Sequence, residues 1–281
     1  MAKGHGRIDK EGHDDMNTKR REMLSLTAAG LIQITTNAES VPSADPADNG
    51  LLIRQAAARG HTDLGWLQSF HSFSFGGYYD QRHMGFRSLR VINDDRIAPG
   101  QGFPTHPHRD MEIISYVLTG ALQHKDSTGR GATIMPDDIQ MMSAGTGITH
   151  SEYNPADSEP NHFLQIWIQP GLRGVRPRYS DNKVTMDQKQ NQWKKIAGPT
   201  GSQAAVSIHQ DATIYATRLA AGQQLEFVVQ RGRHAWLQVA QGELIVNGST
   251  LTSGDAVATS RATALHVHAV LETDALLFDL A

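Results

Sequence analysis

The chain has 281 residues, 26 basic and 29 acidic side chains, a net charge of −3 and no cysteine. Its length suits one large all-β domain or two ordinary ones with a real core. The charge balance offers no basic excess for nucleic acid, and the absence of thiols excludes disulfides, thiolate zinc sites, iron–sulfur clusters and a cysteine nucleophile. Any metal must therefore be held by His, Asp or Glu. No apolar run reaches the ~18 residues of a membrane span.

Residues 1–50 read as an extension ahead of the globular part. Gly4 to Asp15 is polar, lacks apolar periodicity and reads as disordered. Arg20-Arg21 stands before the mildly apolar segment Leu26 to Ile34, and Thr36-Asn37-Ala38 offers a small-residue cleavage site. A paired arginine ahead of a short apolar run resembles a twin-arginine export signal, which predicts a periplasmic or secreted protein. The alternative is a disordered cytoplasmic extension with one short amphipathic helix. Val41 to Gly50, holding Pro42 and Pro46, reads as a spacer.

From Leu51 the pattern becomes strand-like. Phe70 to Phe75 alternates and ends at Gly76-Gly77; Leu89 to Asp95, Met111 to Leu118, Ala121 to Asp126 and Ile139 to Met142 are further strands closed by polar or glycine turns. Asn161 to Gln169 alternates Leu164, Ile166 and Ile168 against Phe163, Gln165 and Trp167. Strands this closely spaced, with hardly any helical period, mean a sandwich or barrel. Residues 51–170 are taken as a first barrel and 171–182, rich in Pro, Gly and Arg, as a linker. Residues 183–281, again a run of short strands, form a second barrel of similar size. The fold predicted is all-β, with two barrels related by duplication.

The chemistry concentrates between Gly100 and Asn154. Side chains at i and i+2 of a strand share a face, so His106 and His108 project together, and so do His150 and Glu152. Should those strands lie side by side, three imidazoles and a carboxylate converge, a set suited to a first-row divalent metal. His-x-His alone is weak evidence, because 14 histidines in 281 residues give about 0.7 such pairs by chance. His266-Val267-His268 makes the same point: Leu265, Val267 and Ala269 face one way and the histidines the other, as in an ordinary half-buried strand. His61, His71, His83, His124 and His162 are read as packed or solvated.

Context lifts the first pair. Gly100-x5-His106-x-His108-x3-Glu112, closed by Gly120, and Gly147-x2-His150-x3-Asn154 resemble the two motifs of the cupin superfamily, with Gly145 in the place of the usual proline and Gly120 one residue late. Gly60 to Leu67, His71 to Phe75, Met84-Gly85-Phe86, Leu89 to Asp95, Thr105 to Glu112 and Met142 to Asn154 resemble pirins more closely still. The resemblance is specific over about Leu51 to Arg178, looser to Ala281, and does not reach residues 1–50. It implies a bicupin of two double-stranded β-helix barrels, with iron in the first. The implied ligands are His106, His108, His150 and Glu152, and all four are present. Glu112 is then expected either to steady a ligand imidazole or to be structural.

Three neutral imidazoles and one carboxylate leave an octahedral Fe(II) two open positions; Cu, Mn, Ni or Co could compete, whereas four-coordinate zinc would be saturated. The resemblance implies quercetin 2,3-dioxygenase activity on a flavonol-like small molecule and O2, with Glu152 as general base. Phe73, Phe75, Phe103 and Tyr153 could furnish walls for a flat substrate, with core packing the alternative for each. A non-catalytic iron-sensing regulatory pirin and a non-oxygenase cupin are the competing readings. The sequence carries no signal of oligomeric state.

Overall fold

The computed structural model describes residues 50–281, and the export motif at Arg20-Arg21 lies outside them. Among the described residues no helix is long and apolar enough to cross a membrane. The chain runs through β1 (Leu52–Arg54), β2 (Gly60–Asp63), β3 (Leu67–His71), β4 (Leu89–Ile97), β5 (Gly102–His108) and β6 (Glu112–Thr119). It continues with β7 (Leu122–Asp126), β8 (Gly131–Ile134), β9 (Asp138–Ser143), β10 (Ile148–Tyr153), β11 (Asn161–Ile168) and β12 (Arg178–Lys183). After one helical turn (Met186–Lys189) come β13 (Lys194–Pro199), β14 (Val206–Ile208), β15 (Ala212–Leu219), β16 (Gln224–Val229) and β17 (His234–Gln241). The last five are β18 (Glu243–Val246), β19 (Ser249–Thr252), β20 (Ala256–Thr259), β21 (Thr263–Ala269) and β22 (Thr273–Leu280).

The all-β architecture expected from strand spacing is present, and so is the duplication. The first half packs a seven-stranded sheet (order β12-β9-β6-β11-β4-β3-β2) on a four-stranded one (β5-β10-β7-β8). The second repeats the plan with β1-β20-β17-β22-β15-β13-β14 and β16-β21-β18-β19. Inside the first half, Leu67, Ile97, Val117 and Phe163 of the large sheet meet Leu122 and Ile134 of the small one. Inside the second, Leu237, Val239 and Leu277 meet Leu244, Val246, Leu265 and Val267.

Two segments lie differently from the sequence expectation. Arg178–Lys183, read as the end of a linker, pairs antiparallel with β9 of the first half. Leu52–Arg54, read as the start of the first barrel, pairs with β20 of the second. β1 has only three residues and β12 is polar enough to pass for loop, yet each covers a sheet edge that would otherwise present unpaired backbone groups.

The two large sheets pack face to face. Ile114, Tyr116, Met141, Leu164 and Ile166 of the first share one core with Ile214, Trp236, Ala256 and Phe278 of the second. This explains why β6, with sequence EIISYVLT, is buried along nearly its whole length. Ile114 and Tyr116 face the other half, while Ile113, Ser115 and Val117 face their own barrel. A strand covered on both sides reads as a continuous apolar run rather than an alternation.

A candidate metal centre in the first barrel

β5 and β10 are neighbours in the four-stranded sheet, with His106 directly opposite His150 and His108 opposite Ile148. The register slips by one residue between His150 and Glu152, so that Glu152 faces Phe103. Gly102 is needed for this closure, because a Cβ there would strike the Glu152 carbonyl. On the far side β10 pairs with β7, setting His150 opposite Asp126 and Glu152 opposite His124. The turn before β10 depends on Gly145, at φ +45°. Any side chain there would collide with the Val175 carbonyl, which is a physical reason for glycine at this turn.

The result is a cluster of three ring nitrogens. His150 Nε2 lies 3.0 Å from His108 Nε2 and 3.0 Å from His106 Nε2. The three ligand atoms form one of two groups among the described residues close enough to hold an ion; the other is His124, His150 and Glu152. The Glu152 carboxylate is 3.9 Å from His150 Nε2. Gln165 Nε2 donates to its two oxygens at 2.8 and 3.1 Å, and Ser115 Oγ donates to Oε1 at 3.4 Å. His106 is oriented by donating its Nδ1 proton to the Pro104 carbonyl, 2.8 Å away, which leaves Nε2 with its lone pair.

Electrostatics prepare the same atoms. Burial, reinforced by the neighbouring imidazoles, pulls His108 down to about 3 and His150 down to about 2. Both are therefore neutral at pH 7 and present lone pairs, the form a metal needs. Three neutral imidazole nitrogens crowded this closely cannot all turn lone pairs to one point with any favourable arrangement among themselves. They acquire one around a cation. With metal–nitrogen bonds of ~2.1 Å, adjacent donors of an octahedral ion stand about 3.0 Å apart and those of a tetrahedral ion about 3.4 Å apart. Both short edges match the octahedral spacing, so the residues fit a six-coordinate divalent ion.

The remaining candidates separate cleanly. Glu112 is not in the cluster: its Oε1 accepts from Ser143 Oγ at 2.7 Å, and Oε2 is buried without a partner. It shares the outer face of β6 with Ile114 and Tyr116, away from the imidazoles. Its even spacing from His106 does not bring it to the same face, because a turn at Arg109 to Met111 separates β5 from β6 and face parity does not carry across a turn. Phe73 belongs to the core between the halves, its ring 4.8 Å from Trp236. Tyr153, one step out of phase with Glu152, lies beside Gln123 and Ser151 on the outer surface. Phe103 does approach His106, with centroids 6.3 Å apart, and Phe75 packs on Trp167 at 5.3 Å. Trp167 itself, 4.9 Å from the His108 ring, was not singled out in the sequence; its alternation on β11 with Phe163 and Gln165 was the available signal.

The other histidines behave mostly as packing predicts. His71 bonds Asn93, His162 pairs with Asp94 at 2.6 Å, and His61 stacks on Phe70. His124 departs from that reading, for it is buried directly behind His150. In the second barrel, Leu265 and Val267 point inward as expected, but His266 has a carboxylate after all, Glu226, at 3.3 Å. That exposed pair gathers no third ligand among the described residues.

Comparison with known proteins agrees with this picture. The pirin family model matches residues 53–168, and the model of the quercetinase C-terminal cupin domain matches residues 195–280. Quercetin 2,3-dioxygenase of Escherichia coli K12 is 43% identical over 230 residues, spanning 82% of this chain and 98% of that protein. The chain belongs to the pirin family. The crystal structure of the E. coli protein YhhW superposes on this pirin with a TM-score of 0.79 at 42% identity, covering 82% of this chain and 97% of that one. A second structure of the bacterial pirin YhhW, in complex with nickel(II), gives a TM-score of 0.77 at 42% identity, with 82% and 98% covered.

Proposed function

We propose that this pirin is a metal-dependent dioxygenase of the quercetin 2,3-dioxygenase type, with His106, His108, His150 and Glu152 as ligands and Fe(II) as the working ion. The observation that carries the reading is the pair of 3.0 Å edges joining the three Nε2 atoms, supported by the activity for which its relatives are named. Nickel in the related YhhW supports a site that also accepts other first-row divalent ions.

When bound, such an ion acts as a Lewis acid that favours the deprotonated form of a substrate hydroxyl. The chain's own groups do the rest. Glu152 takes the hydroxyl proton; Gln165 and Ser115, which orient its carboxyl group, set the geometry for that transfer. Phe103, Phe75 and Trp167 give the mouth of the site the flat apolar surfaces that an aromatic ring system requires. Reaction with O2 then opens the flavonol ring and releases carbon monoxide. The paired arginines Arg20-Arg21 support export by the twin-arginine route, which carries folded, metal-loaded cargo.

The test couples metal analysis to quercetin-dependent O2 consumption in wild type and His106→Ala. The expected result is loss of both metal and turnover in the variant. Turnover undiminished without metal overturns the proposal, and metal binding without any turnover in wild type favours the iron-sensing reading.

A further inference from the structure

Behind the cluster runs a second line of polar groups. β7 carries His124 and Asp126 two residues apart, so both point into the first barrel, and both side chains are fully enclosed. Asp126 Oδ2 is 3.2 Å from His124 Nε2, and His124 Nδ1 is 3.4 Å from His150 Nδ1. A carboxylate, a histidine and a proposed ligand are thus joined end to end.

We propose that Asp126 and His124 are positioning residues that fix the tautomer and ring orientation of His150, and so aim its Nε2 at the ion. The inference rests on the ligand assignment proposed above and extends it by two residues.

The protons can be placed one at a time. An ionised carboxylate only accepts, so His124 Nε2 carries a proton and gives it to Asp126. A neutral His124 then has its lone pair on Nδ1. Gln140 Nε2 donates to that same Nδ1 at 2.9 Å; turning the amide over would exchange one bare atom for another and demand a second proton on His124. His150 Nδ1, 3.4 Å away, carries a proton that shares this lone pair with the shorter Gln140 bond, and so keeps its Nε2 lone pair for the ion. Each assignment follows from the one before, and the series starts at Asp126. Ligand imidazoles commonly donate their second N–H to a carboxylate or carbonyl; here a whole imidazole is interposed. The tighter grip is on the carboxylate, whose other oxygen, Oδ1, accepts from Thr128 N at 2.7 Å, Thr128 Oγ1 at 2.6 Å and Arg130 N at 3.3 Å. Those bonds make Asp126 part of the turn as well, so a test must separate the two roles.

Asp126→Asn does so. Its Oδ1 keeps the turn bonds, while the amide nitrogen that replaces Oδ2 offers a proton to His124 Nε2. His124 must then move its own proton to Nδ1, where it confronts the Nδ1 proton of His150. The expected result is a roughly 10–100-fold loss of affinity for Ni(II), measured by chelator competition, with the melting temperature of the metal-free protein kept. In the Co(II)-loaded wild type, the enclosed His150 Nδ1 proton gives a paramagnetically shifted NMR signal in water that is lost in deuterium oxide. In the Asp126→Asn protein that signal is broadened or displaced. Thr128→Ala, which loosens the turn but leaves the His124 bond, keeps wild-type affinity.

His106→Ala separates the layers of the argument. If it still binds Ni(II) as wild type does, the ligand assignment fails. If it loses Ni(II) while Asp126→Asn binds normally, the positioning inference fails alone. Equal losses in Asp126→Asn and Thr128→Ala also overturn the inference, since the turn would then account for both. Should Asp126→Asn not fold, His124→Phe gives the same readout, and unchanged Ni(II) affinity there is equally fatal.

Discussion

Replacing His106 by alanine separates stability from function by sign. His106 is half-buried, and its hydrogen bond to the Pro104 carbonyl is local. In the metal-free protein its Nε2 stands 3.0 Å from His150 Nε2, which is itself 3.0 Å from His108 Nε2. Removing it relieves that crowding and forfeits only modest packing on Phe103 and His108. The metal-free variant is therefore expected to melt within about 1 kcal/mol of wild type, on the scale of a surface substitution. The loaded proteins differ far more. At a free metal concentration of about 100 Kd, binding to the native state contributes ~2.7 kcal/mol, or about 5–11 °C for a domain of this size. His106→Ala should show almost none of that shift at the same metal concentration. The assay is thermal denaturation followed by circular dichroism, with and without Ni(II). A metal-free variant destabilised by several kcal/mol would show that His106 is a packing residue. A full metal shift in the variant would remove it from the ligand set.

Three further outcomes follow from the surroundings. Asp95 is fully enclosed, and burial, with the charges of Asp94 and Glu152, pushes its carboxyl up to about 8; it keeps in the native state a proton that the unfolded chain releases near its ordinary value. Stability is therefore lost as pH rises from about 4 to about 8, by at most ~1.4 kcal/mol per unit from this group, and urea denaturation of Asp95→Asn should lose that slope; curves parallel to wild type refute it. His108 and His150 act in the opposite sense, since their native values lie below the unfolded one. The metal-free protein should weaken as pH falls below about 6.5, and His108→Phe should make that acid limb shallower, an effect absent if the ring is solvated. Finally, the Tyr116 hydroxyl donates to Asp274 Oδ1 at 2.8 Å across the two halves and accepts from Lys189 Nζ at 3.3 Å. Tyr116→Phe leaves a buried carboxylate short of a donor and should cost about 1–3 kcal/mol, measured by urea denaturation; an unchanged midpoint would mean that the network is replaceable.

The imidazole cluster was legible because strand parity is local. His106 with His108, and His150 with Glu152, each lie within one strand, so the i, i+2 rule needed only the pairing of β5 with β10 to bring them together. Glu112 shows where that reasoning stops: four residues past His108 it lies beyond a turn, and evenness no longer selects a face. His124 and Asp126 obeyed the same rule on β7, but His-x-Asp has no motif to advertise it, and its meaning depends on which strand lies beside it. The sheets that β1 and β12 join were illegible for a different reason. The side chains of these two strands are unremarkable, and what assigns each to its sheet is backbone pairing with partners about 200 and 40 residues away. For Phe73 and Tyr153 the sequence leaves the choice between core packing and a substrate wall open, because an aromatic residue in a strand signals burial or a surface contact without saying which face it takes.

The duplication also explains why, among the described residues, one barrel gathers a polar cluster inside and the other does not. The small sheets have the same order, so β5, β10 and β7 occupy the places of β16, β21 and β18. Where the first barrel turns His106 and His108, His150 and Glu152, and His124 and Asp126 inward, the second turns Leu225 and Phe227, Leu265 and Val267, and Leu244 and Val246. The histidines of β21 occupy the opposite parity and face solvent beside Glu226. A one-residue change of phase moves a whole set of side chains from core to surface, so the same dipeptide spacing gives a buried ligand pair in one barrel and a wet surface in the other. Six inward polar groups cannot fill a core as aliphatic side chains do, and unpaired they would be costly. The first barrel can carry them because its large sheet takes a second apolar face from its neighbour, through Ile114, Leu164, Trp236 and Phe278. The second barrel thus supplies packing that the first has given up in order to hold a polar centre.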